Sequence, residues 1–313
     1  SAGFADASLS PPSPTNGERF GGTLSVSPGR LLAGACKDND NGTASGSAYL
    51  YDEQLDGTWT LAAKLLAADG AAYDEFGGAV SVDGDRAVAG AGKDDDNGSS
   101  SGSVYVFERQ TDGTWLQAAK LLPADGAASD QFGSAVALAG DTLAVAAPGQ
   151  QAGAVYVYVR SGNDWIQQAQ IPSPDGVLSA GFGGALALQG DRMVVGANDA
   201  VSGIGAAYVY VRSGSSWTVQ ARLTANDGFV GDRFGSSVAL SGDSLLIGAP
   251  YRPAAGAGSH AQGAAYVFVE ALGLWTAQAR LNAATAANGD SFAAAVALDG
   301  DRLLAFCRRG GGY

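Results

Sequence analysis

The sequence predicts an all-β protein, a β-propeller of four-stranded antiparallel blades, and three observations carry that prediction. First, Trp59, Trp115, Trp165, Trp217 and Trp275 each precede a phenylalanine by seventeen residues: Phe76, Phe132, Phe182, Phe234 and Phe292. With Phe20 at the head, successive phenylalanines lie 56, 56, 50, 52 and 58 residues apart, so nearly the whole chain is one unit repeated. Periods of that order belong to propellers, solenoids or arrays. Second, each unit holds four runs of strand length bounded by Gly and Asp turn signals. Third, residue size is graded: the first two runs are Gly, Ala, Ser and Val, the last two Tyr, Phe, Trp and Leu. Wedge-shaped sheets around an axis need that taper, and a linear solenoid does not.

The second unit shows the elements most clearly. Ala79–Val82 and Ala87–Ala91 are the first two strands, joined by the tight turn Asp83-Gly84-Asp85. After a polar loop come Val104–Phe107, the turn Thr111–Thr114, and a last strand from Trp115 to about Leu122. No segment sustains a helical period, so helix is nearly absent. The chain reads as one domain, 1–313, with repeats starting near Phe20, Phe76, Phe132, Phe182, Phe234 and Phe292. Residues 1–19 match the tail of a unit and are expected to close the ring as the outermost strand of the last blade, hiding sheet edges. Phe292 to Ala305 supplies only two strands, so the last blade is incomplete or the chain is a fragment. The count gives six blades, or seven if sequence is missing.

Phe-Gly at the unit starts, Gly248-Ala249-Pro250 with Ala146-Ala147-Pro148 as a near match, and the following Tyr266-Val267-Phe268 resemble the FG-GAP repeat. That is the unit of the integrin alpha-subunit propeller and of bacterial and algal surface proteins. The resemblance covers essentially the whole chain and implies the propeller fold. For function it implies only a broad class, since fold alone does not assign activity. Integrin-type repeats that bind calcium carry an Asp-rich loop between their first two strands. Here that place holds two-residue turns, so the family's calcium site does not carry over.

The acidic loops lie one connection later, in Lys37–Gly42 and Lys93–Gly98. Asp38 with Asp40 and Asp94 with Asp96 set carboxylates two apart, as hard ligands for calcium require. The competing reading is a solvated Asx-rich turn. Asp69, Asp125, Asp175 and Asp227, and a second set at Asp74, Asp130, Asp232 and Asp290, recur in nearly every copy and read as turn caps. The tryptophans read as packing between blades rather than as sugar platforms.

What differs between copies marks a site. The loop between the second and third strands is acidic in units one and two, short in three and four, and longest in five, from Tyr251-Arg252 through His260. Unit six offers Arg308 and Arg309. Tyr251, Arg252, His260, Arg308 and Arg309 are therefore the expected ligand-binding residues, on loops at one face.

Net charge is −13, from 18 basic and 31 acidic residues, which excludes nucleic acid as a partner. There is no apolar run long enough for a transmembrane helix, so no membrane insertion is expected. The start at Ser1 suggests a processed form. Cys36 and Cys307 end the second strands of the first and last units, and either bridge to lock the ring or remain free thiols. One histidine and no nucleophile, metal or phosphate motif leave an enzyme as the weakest reading. The expectation is a non-catalytic extracellular or cell-surface propeller that binds a protein or glycan. The alternatives are a structural module of a surface assembly, or a carbohydrate-active enzyme.

Overall fold

The computed structural model describes residues 9–11, 17–178, 180–252, 262–283 and 289–307. Five four-stranded antiparallel sheets follow one another, each in simple chain order, and a two-stranded sheet follows them. Sheet one is β1 (Thr23–Ser27), β2 (Arg30–Ala35), β3 (Ser47–Glu53) and β4 (Trp59–Leu65). Sheet two is β5 (Ala79–Asp83), β6 (Arg86–Ala91), β7 (Ser103–Arg109) and β8 (Trp115–Leu121). Sheet three is β9 (Val136–Ala139), β10 (Thr142–Ala147), β11 (Ala154–Ser161) and β12 (Asp164–Pro172). Sheet four is β13 (Phe182–Gln189), β14 (Arg192–Ala197), β15 (Ala206–Ser213) and β16 (Ser216–Leu223). Sheet five is β17 (Ser237–Ser241), β18 (Ser244–Ala249), β19 (Ala264–Ala271) and β20 (Leu274–Leu281), and sheet six is β21 (Phe292–Asp299) with β22 (Arg302–Cys307). The one helical turn among the described residues is Ala200–Gly203.

The chain divides into two compact units, residues 1–150 with 158–167, and residues 151–157 with 168–313. The first holds sheets one and two with β9 and β10, the second holds sheets four to six, and the boundary runs through β11 and β12. Within each unit the first strands of successive sheets pack together: β1 on β5 and β5 on β9, then β13 on β17 and β17 on β21.

The first two strands of each sheet meet through a Gly-Asp loop. In sheet two Asp83 pairs with Arg86, leaving Gly84-Asp85 as the turn. Gly84 has φ 54°, as a type II′ turn requires of its first central residue. An arginine next to the turn then reaches the following sheet. Arg86 donates to Gly140 O at 2.9 Å and pairs with Asp141 at 2.8 Å; Arg192 does the same to Gly242 and Asp243.

The unit-start phenylalanines hold successive sheets together. Phe76 N donates to Ser45 O and Phe132 N to Ser101 O, each at 2.9 Å; Phe234 N and Phe292 N make the same bond to Ile204 and Gln262. The neighbouring residue is glycine because the backbones nearly touch. At Gly46 (φ 87°) a Cβ would lie 2.1 Å from Phe76 O. The Phe76 ring is buried among Leu50 and Leu65 of sheet one and meets Tyr105 and Phe107 of sheet two edge-on, at 5.4 and 5.9 Å. Phe234 repeats this between Val209 and Leu223 on one side and Tyr266 and Phe268 on the other.

The tryptophans also pack between sheets. Arg30 of sheet one lies over Trp115 of sheet two, and Arg192 of sheet four over Trp275 of sheet five, both at 5.3 Å. Of the segment read as a closing strand, residues 9–11 form no strand; Leu9 packs on the aromatic cluster of sheet one, and Tyr51 donates to Ser10 O at 3.0 Å. Cys36 is half-buried and Cys307 exposed, and both are free thiols.

Phe234→Ala removes a fully buried ring from a two-sheet junction and is expected to cost about 3–5 kcal/mol in urea denaturation. Leu55→Ala, at an exposed turn, is expected to change stability by less than about 0.5 kcal/mol.

Candidate functional site

Each complete sheet carries one polar station at the same register. The third strand supplies a tyrosine, and the fourth supplies the residue five after its tryptophan. Tyr49 pairs with Lys64, Tyr105 with Lys120, Tyr208 with Arg222 and Tyr266 with Arg280. In sheet three Gln170 donates to the Tyr156 hydroxyl at 3.0 Å. A hydroxyl and a cation side by side at the end of an apolar sheet call for an acid, and its source differs between sheets.

In sheets one and two the acid comes from the loops read as calcium sites. Asp94 accepts from Ser103 Oγ at 2.6 Å, Tyr105 OH at 2.8 Å and Asp96 N at 3.0 Å, and pairs with Lys120 Nζ at 3.1 Å. Lys120 also reaches Asp96 at 2.6 Å and Asp69 at 2.7 Å. Asp38 repeats this with Ser47, Tyr49 and Lys64, and Lys64 also contacts Asp40. Burial alone pushes the Asp94 carboxyl up. The hydrogen bonds from Ser103, Asp96 N, Tyr105 and Lys120 outweigh it and hold its pKa below the usual aspartate value. Burial likewise favours a neutral Lys120, but its bonds to Asp69, Asp96, Tyr105 and Asp94 raise its pKa.

The donor set does not fit calcium. An ammonium sits within hydrogen-bond distance of each carboxylate assigned to the ion, and a divalent cation there would face Lys64 or Lys120. Among the described residues no group of three His, Cys, Asp or Glu side chains is arranged to hold a metal.

In sheets four and five the acid comes from the preceding Asp-Gly loop. Tyr208 donates to Asp175, which pairs with Arg222 at 3.3 Å. Tyr266 donates to Asp227 at 2.9 Å, and Arg280 pairs with the same carboxylate. Asp69 plays this part in sheet two, accepting from Tyr105 at 3.0 Å. These aspartates therefore tie one sheet to the next rather than merely capping their own turns. The second set does cap: Asp74, Asp130 and Asp232 accept from Ala71, Ala127 and Phe229 N at 2.7 to 2.8 Å.

Arg252 corrects the sequence reading. It stands where Asp38 and Asp94 stand in their sheets, 6% exposed, and pairs with Asp232 at 2.6 Å and Asp227 at 3.1 Å. A buried guanidinium needs such partners, because removing them leaves an uncompensated charge. Arg252 is thus part of the foundation, not of the binding surface. Tyr251 is exposed, with Arg233 across its ring at 5.0 Å. His260, Arg308 and Arg309 lie outside the described residues.

The structure brings forward a surface the sequence reading passed over. Directly after each Asp-Gly, units one and two carry Ala71-Ala72 and Ala127-Ala128, whereas the next two carry Val177-Leu178 and Phe229-Val230. Leu178 is 71% exposed, Phe229 65% and Val230 72%, with Val201 and Tyr251 also exposed. The loops that carry them are joined in a row. Asp199 N donates to Ala180 O, Gly231 N and Arg233 N to Gly203 O, and Tyr251 N to Asp232 O. Arg252 lies under the Phe229 ring at 4.7 Å, holding it on the surface. The signal was present in the sequence as the one offset where Ala-Ala changes to large apolar pairs.

Charge separates the two units as sharply. The first carries 9 basic and 21 acidic residues, net −12, and the second 9 and 10, net −1; together they make the −13 of the chain. In the second unit Asp175, Asp199, Asp227 and Asp232 are each paired with arginine. Among the described residues, these loop aspartates are neutralised within the unit itself.

The class so defined is a repeat-built all-β scaffold with variable loops. A family model of the FG-GAP repeat matches residues 5–51, 59–107, 115–158, 165–210 and 217–268, and the chain belongs to that family. A search of curated proteins returned no match. FG-GAP repeats occur in surface and adhesion propellers, typically extracellular and generally non-catalytic. Among the described residues no helix is long and apolar enough to cross a membrane.

Two predictions follow from the polar stations. Chelator should leave the thermal midpoint unchanged, whereas Lys120→Met should lower it by leaving Asp94 buried without its cation. Because the folded Asp94 pKa lies below the unfolded value, its stabilisation is present above about pH 4 and is lost as the pH falls through the folded value. Asp94→Asn should therefore lower stability at neutral pH and flatten its fall below about pH 4, read from urea midpoints against pH.

Proposed function

We propose that this chain is a non-catalytic, extracellular or cell-surface binding propeller of six blades that recognises a protein or a glycan through loops on one face. The observation that carries the reading is the row of loops bearing Val177, Leu178, Val201, Phe229, Val230 and Tyr251. Contiguous apolar side chains on a soluble surface mark interaction sites, and single exposed ones do not. The rings are fixed from below by paired arginines, so little order remains to be gained on binding. Six unit-start phenylalanines support the blade count. The closing junction would differ from the others, because Phe306 stands where Gly34, Gly90, Gly196 and Gly248 let the next sheet approach.

A second reading, a structural module that packs by its sheet faces, is supported by Leu24 and Val26, both well exposed on β1. The two readings separate by mutation. The wild-type chain is screened on a glycan array and against cell-surface extract, and its partners are scored with variants. Phe229→Ser with Val230→Ser is expected to weaken binding at least about ten-fold with the fold intact, roughly the loss of one apolar anchor. Unchanged binding by that variant, with loss on Leu24→Ser and Val26→Ser, would favour the second reading.

A further inference from the structure

Of the nine asparagines in the chain, two stand in the pattern Asn-x-Ser/Thr: Asn41-Gly42-Thr43 and Asn97-Gly98-Ser99. They lie 56 residues apart, as Phe20 and Phe76 do, so both hold one register of the repeat. That register is the loop joining the second strand to the third, in sheets one and two. With a middle residue other than proline, the tripeptide is the acceptor for N-linked oligosaccharide. Asn41, Thr43, Asn97 and Ser99 are all exposed, in turns outside any strand.

The fold uses the polar side chains around this tripeptide but not the hydroxyl within it. Asn39 and Asp95 accept from Ala44 N and Ser100 N at 2.7 Å. Ser45 and Ser101 Oγ accept from Asn41 N and Asn97 N at 3.0 Å, and Ser47 and Ser103 donate to Asp38 and Asp94. Thr43 and Ser99 contribute only their carbonyls, which accept from Tyr73 N and Ser129 N at 2.7 and 2.8 Å. Their hydroxyls bond nothing among the described residues. The next position is Ala44 in one loop and Ser100 in the other, so the fold does not fix the side chain there. At Thr43 and Ser99 the β-hydroxyl is kept although no contact of the fold asks for it.

The geometry points to Asn41 and Asn97 as attachment sites for N-linked oligosaccharide. Asn41 Nδ2 donates to Ala67 O at 3.2 Å and Asn97 Nδ2 to Pro123 O at 3.4 Å. A carboxamide nitrogen has two hydrogens, so one is replaced by the sugar while the other keeps that bond. In the transfer, Nδ2 attacks the anomeric carbon of an oligosaccharide carried on an isoprenoid diphosphate. The nitrogen–carbon bond forms, the carbon–oxygen bond to the diphosphate breaks, the amide proton passes to a base of the transferase, and the lipid diphosphate leaves. The unbonded hydroxyl of Thr43 or Ser99 is the group by which the transferase recognises the tripeptide. The surroundings are small: Ala72 and Ala128 lie against Gly42 and Gly98, where a Cβ would meet them at 3.2 Å. These belong to the alanine pairs that the second unit replaces with Val177-Leu178 and Phe229-Val230, and the second unit has no acceptor tripeptide. The assignment rests on the extracellular reading, because the chain must cross a membrane to meet the transferase, but not on the loop row.

The test expresses the intact chain behind a cleavable secretion leader in a eukaryotic cell. Its N-glycans are released by an amidase in heavy-oxygen water, which labels each formerly glycosylated asparagine, and tryptic peptides are mapped by mass spectrometry. Label is expected at Asn41 and Asn97 and at no other asparagine. Thr43→Ala and Ser99→Ala should each abolish the glycan at their own site, whereas Thr43→Ser should keep it. Made without glycan, the two alanine variants should melt at the wild-type midpoint, because neither hydroxyl takes part in the fold. Chain retained in the secretory compartments is mapped in the same way, so poor export does not hide the result. An unlabelled Asn41 or Asn97 in the folded chain overturns the assignment at that position. A glycan that survives loss of its hydroxyl overturns the recognition argued for it. Recovery of the native chain from the cell interior would instead defeat the extracellular reading, with both acceptors still labelled in the secreted chain.

Discussion

Four junctions between sheets depend on a phenylalanine whose backbone N–H bonds to the preceding sheet: Phe76, Phe132, Phe234 and Phe292. At Phe76 and Phe234 the ring also fills the space between that sheet and its own. The first requires close backbone approach, which only glycine permits at Gly46, Gly102, Gly205 and Gly263. The second requires the fourth strand of one sheet and the third strand of the next to present matching apolar surfaces. Burying one such ring is worth about 1.5–3 kcal/mol, and the edge-on aromatic contacts add about 0.5–1.5. The unit-start phenylalanine therefore keeps its place in every copy, and the spacing from tryptophan to phenylalanine holds at seventeen while other distances drift. The fixed segment is the one that must span the fourth strand and reach the next junction.

Above this apolar junction the tyrosine hydroxyl brings a polar atom to the sheet end, and the loops answer it in two ways. Sheets one and two use lysine with aspartates from their own loop; sheets four and five use arginine with the aspartate of the loop before. The choice has a consequence at the surface. A compact ammonium gathers several carboxylates, so the first unit accumulates acid around Lys64 and Lys120. The planar guanidinium pairs with fewer groups and covers aromatic faces. In the second unit the arginines neutralise their aspartates and also support Phe229 and Tyr251. An aspartate pair that looks like a cation site by spacing is thus a lysine site, because its counter-charge arrives from a strand more than twenty residues later.

The fold was largely legible because it is repeated. Five copies of one pattern expose the strands, the Gly-Asp turns and the inter-sheet role of tryptophan and phenylalanine, each of which a single copy would leave ambiguous. The site was less legible, for a physical reason. Whether a loop arginine faces solvent or is buried depends on partners distant in sequence, and Arg252 is buried by Asp227 and Asp232 from the preceding connection. The acidic loops misled in the same way. The apolar pairs Val177-Leu178 and Phe229-Val230 were visible, but apolar residues in a strand-rich chain are read as core. Only their place directly after an Asp-Gly turn, outside any strand, sets them apart.

The described residues of sheet six repeat part of the pattern and depart from it at one position. Its phenylalanine makes the backbone bond to sheet five as Phe76, Phe132 and Phe234 make theirs to the sheets before them. Among the described residues no third strand lies beside β22, and Phe292 and Leu303 are less buried than their counterparts in the other sheets. Phe306 departs further. At the same register a Cβ on Gly34, Gly90, Gly196 or Gly248 would meet the next sheet's backbone at 2.0 to 2.2 Å. A large side chain there is compatible only with a different neighbour or a wider gap. The sixth repeat thus keeps the residues that attach it to sheet five but carries a phenylalanine at a register where four other sheets have glycine.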